Sequence, residues 1–318
     1  MKILLVLILC LNYTWAQDEL TIVAVGRAQQ EKLKISIADP EYVGNFKGEQ
    51  KSMAIEVNEL IKNDFSFYRH KLQVFDYDKS MGDPTISAPY EKWKKKDYNY
   101  IIGMRVTADG SQIKLLAKLY NVDKGEEIAS NEFTINNNET RAQGHVVSDF
   151  LYQAIFSKES IFKTKIIFVS DKPTVNRRQR VIKEIYSMDF DGRNVERLTF
   201  HNGTVISPAI SPDKSTIIYS LVSNSKIKKQ RNVDLYIMDV KTKRSKILSN
   251  RVGLNTGAAF TSDGKHILLT LSHTGNADIY KMNLETQSIQ RMTTHYSDDV
   301  DPSFNADETL MAFLSGRS

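Results

Sequence analysis

A five-residue string that returns three times fixes what the second half of this chain can become. Ile185-Tyr186-Ser187-Met188-Asp189 recurs as Leu235-Tyr236-Ile237-Met238-Asp239 and again as Ile279-Tyr280-Lys281-Met282-Asn283. A second element, Ala209-Ile210-Ser211-Pro212-Asp213, recurs as Ala259-Phe260-Thr261-Ser262-Asp263 and as Ser303-Phe304-Asn305-Ala306-Asp307. In each copy the tyrosine precedes the aspartate of the next second element by 27 residues. The return distance is 23 residues from Asp213 to Tyr236 but 17 from Asp263 to Tyr280. The excess falls where Lys226, Lys228, Lys229 and Arg231 cluster, and it reads as an extended surface loop. Without it the period is 44 residues, the length of a four-stranded propeller blade of about 40–50 residues.

The second unit shows how one period makes four strands, at Pro208 to Ile210, Thr216 to Ser220, Asp234 to Asp239 and Lys246 to Leu248. Ser211-Pro212-Asp213-Lys214 turns between the first two, because Pro presets φ and Asp bonds its own backbone nearby. Asp263-Gly264 and Asp307-Glu308 hold the same place, and Asp239 and Asn283 brace the following turn. A catalytic carboxylate is needed once, whereas a turn-former is needed once per repeat, so these aspartates read as architecture. Asp298, Asp299 and Asp301 form the one acidic cluster outside the pattern. A cation site needs several converging oxygens, and a single short loop favours a solvated role.

The array is expected to be unfinished. Ile166 to Val169, Ile185 to Asp189 and Val195 to Thr199 give the first unit three strands and no inner one, and the last unit reaches Ser318 after its second strand. Six blades at this period need roughly 260 residues and end near residue ~430. A fragment or truncated product is the expectation, with open strand edges that invite aggregation.

Residues 17–160 have a different grammar. Leu33 to Ile37 alternates as a half-buried strand does, and Leu72 to Phe75 and Tyr100 to Val106 are further strands. Met53, Ile55, Val57, Leu60 and Ile61 lie near one helical face, with Asn63-Asp64 as its stop. Asp109-Gly110 predicts a hairpin into Ile113 to Tyr120, and Lys124-Gly125 another into Ile128 to Ile135. A last helix carries Val146, Val147, Phe150, Leu151 and Ile155. The fold class is thus an α+β domain, a small mixed sheet with helices, followed by an all-β propeller over residues 165–318 with about three and a half blades present.

The chain opens as an export signal: Lys2, an apolar run from Ile3 to Leu11, then Thr14-Trp15-Ala16 with small residues for cleavage between Ala16 and Gln17. The run is too short to span a bilayer. Cys10 suggests a lipid anchor, but a lipoprotein signal wants a small residue where Leu9 stands. Once the signal is cut, the chain's single cysteine is gone. A disulfide framework, cysteine-ligated zinc or a cysteine nucleophile is thereby excluded from the mature protein, which is expected to be soluble and periplasmic. The net charge of +5 is spread over scattered lysines, with clusters at Lys94 to Lys96, Arg177, Arg178 and Arg180, and Lys226 to Arg231. Export argues against nucleic acid as a partner, and solvated loops and helix ends account for the clusters.

No Gly-x-Ser-x-Gly pentapeptide occurs, and His70, His145, His201, His266, His273 and His295 show no metal-pair spacing. No catalytic, cofactor or metal residue is therefore assigned. Two other readings stay open: the propeller of an exported prolyl-oligopeptidase-like serine peptidase lacking its hydrolase domain, or a propeller that binds a glycan or small molecule in its channel.

Three stretches together resemble the TolB family of the Tol–Pal system. They are Tyr100 to Asn121 with its Asp-Gly hairpin, Ala142-Gln143-Gly144-His145 through Phe162-Lys163-Thr164-Lys165-Ile166-Ile167, and the repeats with Met188-Asp189-Phe190-Asp191-Gly192. The resemblance runs from about residue 18 to the end. It implies a six-bladed propeller that docks the peptidoglycan-associated lipoprotein Pal, supporting outer-membrane integrity, cell division and protein import. Loops before the inner strands would make that contact, at Ile206 and Ser207, Asn255 and Thr256, and Asp299 and Val300. It further implies an N-terminal segment, with Leu20, Ile22, Val23 and Val25, that engages the inner-membrane protein TolA.

Overall fold

In the computed structural model the chain is described over residues 31–174, 181–223 and 232–317. The cleavage position Ala16–Gln17, the segment with Leu20, Ile22, Val23 and Val25, and the basic clusters at 177–180 and 226–231 lie outside the described residues. Alternation in β1 (Leu33–Ile37) sends Ile35 and Ile37 into the core, each fully buried. β2 (Glu41–Val43) is a three-residue strand exposed along its whole length. Helix α1 (Gly48–Phe67) buries Met53, Ala54, Val57, Leu60, Ile61 and Phe65 along one stripe. It does not stop at Asn63-Asp64, because Asp64 is 2% exposed and points into the core.

β3 (Leu72–Asp76) leads through a loop to the short α2 (Tyr90–Lys95), whose Trp93 is fully buried. The lysines beside it lie in the last turn, where cations suit the helix dipole. The meander β4 (Tyr100–Asp109), β5 (Gln112–Asn121) and β6 (Glu126–Ile135) follows. Asp109 pairs with Gln112, so Gly110-Ser111 closes a two-residue hairpin, with Gly110 at φ 62°. The sheet order is β3-β1-β4-β5-β6, with β2 also on β4; β1 runs parallel to β3 and β4.

Helix α3 (Thr140–Phe156) completes this region. Its helical period buries Val147, Leu151 and Tyr152 and leaves Val146 exposed beside that face. Gly144 is a close-approach residue: a Cβ there would lie 3.2 Å from Leu60, so its absence lets α3 press on α1. The sheet's two faces carry separate cores. Ile102, Met104 and Val106 pack with α1 and α3, while Ile101 joins Trp93, Tyr77 and Tyr120 on the other side.

From Lys165 the chain forms small antiparallel sheets in chain order. The first has three strands: β7 (Lys165–Ser170), β8 (Glu184–Asp189) and β9 (Glu196–Arg197). The second has β10 (Thr204–Ile210), β11 (Thr216–Ser223), β12 (Asn232–Asp239) and β13 (Ser245–Ser249). The third has β14 (Asn255–Phe260), β15 (His266–Leu271), β16 (Asp278–Asn283) and β17 (Ile289–Arg291). β18 (Asp299–Phe304) and β19 (Met311–Ser315) pair alone. Each sheet packs on the next: Ile185 and Leu198 meet Val205, Ile217 and Tyr219, and Ile218 and Leu235 meet Ile267 and Leu269. Each such side chain contributes about 1.5–3 kcal/mol of burial, which the isolated sheets could not obtain.

The turn aspartates act as the repeat predicted. Asp213 accepts from Ser211 Oγ at 2.6 Å and Ser215 N at 3.0 Å. Asp263 accepts from Thr261 Oγ1 at 2.6 Å and Lys265 N at 2.9 Å, and Asp307 accepts from Thr309 Oγ1 at 2.8 Å. The residue after each is left-handed: Lys214 at φ 63°, Gly264 at 66° and Glu308 at 59°.

Phe190, in the turn after β8, ties the two regions. It is 6% exposed and packs inside the N-terminal core, edge-on to Phe67 at 5.5 Å and to His145 at 5.2 Å. Beside it Asp191 pairs with Arg141 of α3.

Candidate partner-binding face

The inner strands β10, β14 and β18 share one irregularity. Register shifts between Ile206 and Ala209, between Thr256 and Ala259, and between Val300 and Ser303. Each shift is a β-bulge, which kinks the strand and re-aims side chains. Ser207, Gly257 and Asp301 occupy the bulges in the left-handed region, at φ 51°, 59° and 52°. Pro208, Ala258 and Pro302 follow them, and proline suits a bulge because it has no N–H to give to the ladder.

The expected contact residues divide in two. Ile206, Thr256 and Val300 hold equivalent places, opposite Ser220, Thr270 and Leu314, and are half-buried at the bulge. Ser207 is exposed there as well. Asn255 and Asp299 stand one residue earlier, level with Val205, and both are fully buried. Asn255 Nδ2 donates to the carbonyls of Val233 at 2.9 Å and Arg251 at 2.7 Å, and its Oδ1 accepts from Ser249 Oγ at 2.6 Å. Asp299 accepts from Ser315 Oγ at 2.7 Å and from the Arg317 guanidinium at 2.6 Å. Burial alone would raise the Asp299 carboxyl, but these donors prevail and hold it below the ordinary carboxylate range. Both side chains are consumed in holding the blades.

Gly257, half-buried, and Asp301, exposed, complete the row, and neither is among the expected contacts. Their signal is in the sequence: Ser207, Gly257 and Asp301 each lie four residues before Ser211, Thr261 and Asn305 of the repeated turn. Hydroxyls set the spacing between neighbouring rows. Ser220 Oγ donates to the Asn255 carbonyl at 3.2 Å, and Asp301 N donates to Thr270 Oγ1 at 3.2 Å.

The acidic cluster does not converge. Asp298 accepts from Ala277 N at 2.9 Å, Asp299 is buried and Asp301 faces out. Among the described residues no group of three or more His, Cys, Asp or Glu could hold a metal ion. His201 serves packing: its Nε2 lies 2.8 Å from Tyr219 Oη, and burial lowers its pKa against a weaker opposing effect of Glu184. The face therefore presents hydrogen-bonding backbone and the Asp301 carboxylate, which forms no ion pair among the described residues.

Comparison with known proteins decides the family. The profile of the TolB beta propeller domain matches residues 152–318, more than half of the chain. The chain belongs to the TolB propeller family. It is 27% identical over 218 residues to the protein TolB homolog of Chlorobium chlorochromatii, covering 69% of this chain and 46% of that one. It is 28% identical over 223 residues to the protein TolB homolog of Chlorobium luteolum, covering 68% and 48%. The chain thus spans about half the length of these curated relatives. The crystal structure of TolB from Acinetobacter baumannii aligns with a TM-score of 0.70 at 23% identity, over 90% of this chain and 67% of that one. The alignment extends through the mixed sheet as well as the blades, so the TolB fold holds for both regions. No helix among the described residues is long and apolar enough to cross a membrane.

Proposed function

We propose that this chain is a non-catalytic protein-binding scaffold of the Tol–Pal envelope system, acting in the periplasm. Its propeller face docks a peptidoglycan-associated lipoprotein, and the segment with Leu20 to Val25 engages a TolA-like inner-membrane protein. In that role it couples the inner-membrane complex to the outer membrane during cell division. The observation that carries this reading is the family match across the blades joined to a mixed sheet aligned with TolB. Phe190, seated in the N-terminal core, supports it by packing the first blade against the mixed-sheet region.

The test is calorimetric titration of the chain with the soluble domain of a Pal-like lipoprotein. Saturable binding at micromolar concentration, weakened by Asp301→Arg, is the expected result. Absence of binding at that concentration, or hydrolysis of short proline peptides by the chain, would end the reading.

A further inference from the structure

The N-terminal region holds a cleft that the propeller face does not use. It has a volume of about 490 Å³ and lies between β2, α1 and the loop after β3, lined among others by Glu41, Tyr42, Ile55, Asn58 and Glu59. β2 pairs only with β4 among the described strands, so its second edge is open beside this space. An open edge offers unpaired N–H and C=O groups to any extended chain. Large apolar side chains stand exposed around it: Tyr42 at 40%, Val43 at 47% and Ile55 at 50%.

One wall of the cleft carries a polar atom without a partner. Asn58 is 6% exposed, its Nδ2 donates to Asp39 Oδ1 at 3.0 Å, and its Oδ1 is buried with no hydrogen bond among the described residues. A buried acceptor left unsatisfied is costly, and a donor reaching it from the cleft would offset that cost.

The charges favour one kind of occupant. Asp39 is held by Lys62 at 3.1 Å and Lys79 at 3.0 Å, and Lys62 also reaches Asp76 at 2.7 Å, so the lysines here are already paired. Glu41 and Glu59 line the same cleft and enter no ion pair among the described residues. The net free charge is negative.

We propose that this cleft docks an extended protein segment that adds as a strand to the open edge of β2 and places basic residues against Glu41 and Glu59, with apolar residues on Tyr42 and Ile55. Main-chain hydrogen bonds would supply affinity and alternate side chains specificity, as in strand addition generally. The site is separate from the propeller face and stands or falls independently of lipoprotein docking.

Fluorescence anisotropy on the whole chain tests it with three capped, labelled octapeptides: alternating Val and Arg, alternating Val and Glu, and the Val–Arg peptide N-methylated at alternate residues. The Val–Arg peptide should bind saturably, and the other two about tenfold or more weakly. Glu41→Lys combined with Glu59→Lys should weaken the Val–Arg peptide about tenfold and strengthen the Val–Glu peptide. Both positions are exposed, and an unchanged melting curve would show that the double variant folds. Bound peptide should slow amide exchange at 41–43. Equal binding by the double variant, equal binding of the N-methylated peptide, or unprotected amides at 41–43 would overturn the proposal. So would free protein in which residues 17–30 or a second copy already protect that edge.

Discussion

His145 Nδ1 and Asp64 Oδ2 share a hydrogen bond of 2.9 Å between α3 and α1, with side chains 5% and 2% exposed. Nε2 of the same imidazole lies 3.9 Å from Asp191, in the turn that the first blade inserts beside Phe190. Burial pushes the Asp64 carboxyl up, and the contact with His145 opposes that rise. The pair thus joins the two helices and sits directly under the contact between sheet and blades.

Asp64→Ala or His145→Ala alone should destabilise the chain by about 3–5 kcal/mol, since each leaves a buried polar partner uncompensated. Removing both should cost less than the sum, because the second change removes the group that the first left unpaired. Urea denaturation of the two single variants and the double variant gives the coupling. Additive losses would show that the two residues act independently.

Phe190→Ala should cost about 3–5 kcal/mol by opening a cavity among Phe67, Phe162 and His145. Arg141→Ala removes the neighbouring ion pair, whose guanidinium side is 30% exposed, and should cost no more than about 1 kcal/mol. Packing therefore outweighs charge at this junction. Hydrogen exchange in α3 and β8 should accelerate together in the phenylalanine variant and stay unchanged in the arginine variant.

Asp299 makes stability depend on pH in a defined direction. Its folded pKa lies below the unfolded value of about 3.9. The contribution is fully present above that unfolded value and is lost as pH falls through the folded one. Asp299→Asn should be less stable than the parent at neutral pH, and the gap should close below about pH 4. Denaturation midpoints of both proteins across that range measure it; a gap that widens in acid would refute the assignment.

The blades were legible because their spacing is a property of the chain itself: Tyr186, Tyr236 and Tyr280 recur whatever surrounds them. The meander was legible through alternation and the Asp109-Gly110 turn. What escaped depends on contacts between distant residues. Asp64 looks like a helix stop because a carboxylate is rarely buried, and His145, 81 residues away, is what allows it. β2 has three exposed residues and no burial rhythm, so its pairing with Arg105 to Thr107 leaves no mark on the sequence. At the face, the expected pairs fell one residue out of step between blades. The bulge geometry that aligns Ser207, Gly257 and Asp301 is a backbone feature, and three different residue types fill it.

That mixed row permits a test separating backbone strain from crowding. A Cβ on Gly257 would sit 2.6 Å from Asp301 Oδ1 and 3.3 Å from its Cα. The left-handed backbone costs an ordinary L-residue about 1–2 kcal/mol, and less for Asn, whose side chain tolerates that region. If conformation dominated, Gly257→Ala would be more harmful than Gly257→Asn. Ser207 and Asp301 adopt the same conformation in the neighbouring sheets, so the bulge accepts a side chain at this place. The Asp301 carboxylate is exposed and can swing aside, leaving backbone strain to set the loss of stability, at about 1–2 kcal/mol in Gly257→Ala and less in Gly257→Asn. Its displacement from the row should instead weaken lipoprotein binding equally in Gly257→Ala and Gly257→Asn. Calorimetric titration of the two variants beside their melting temperatures decides the point, and a milder binding defect in the asparagine variant would place the effect in the backbone.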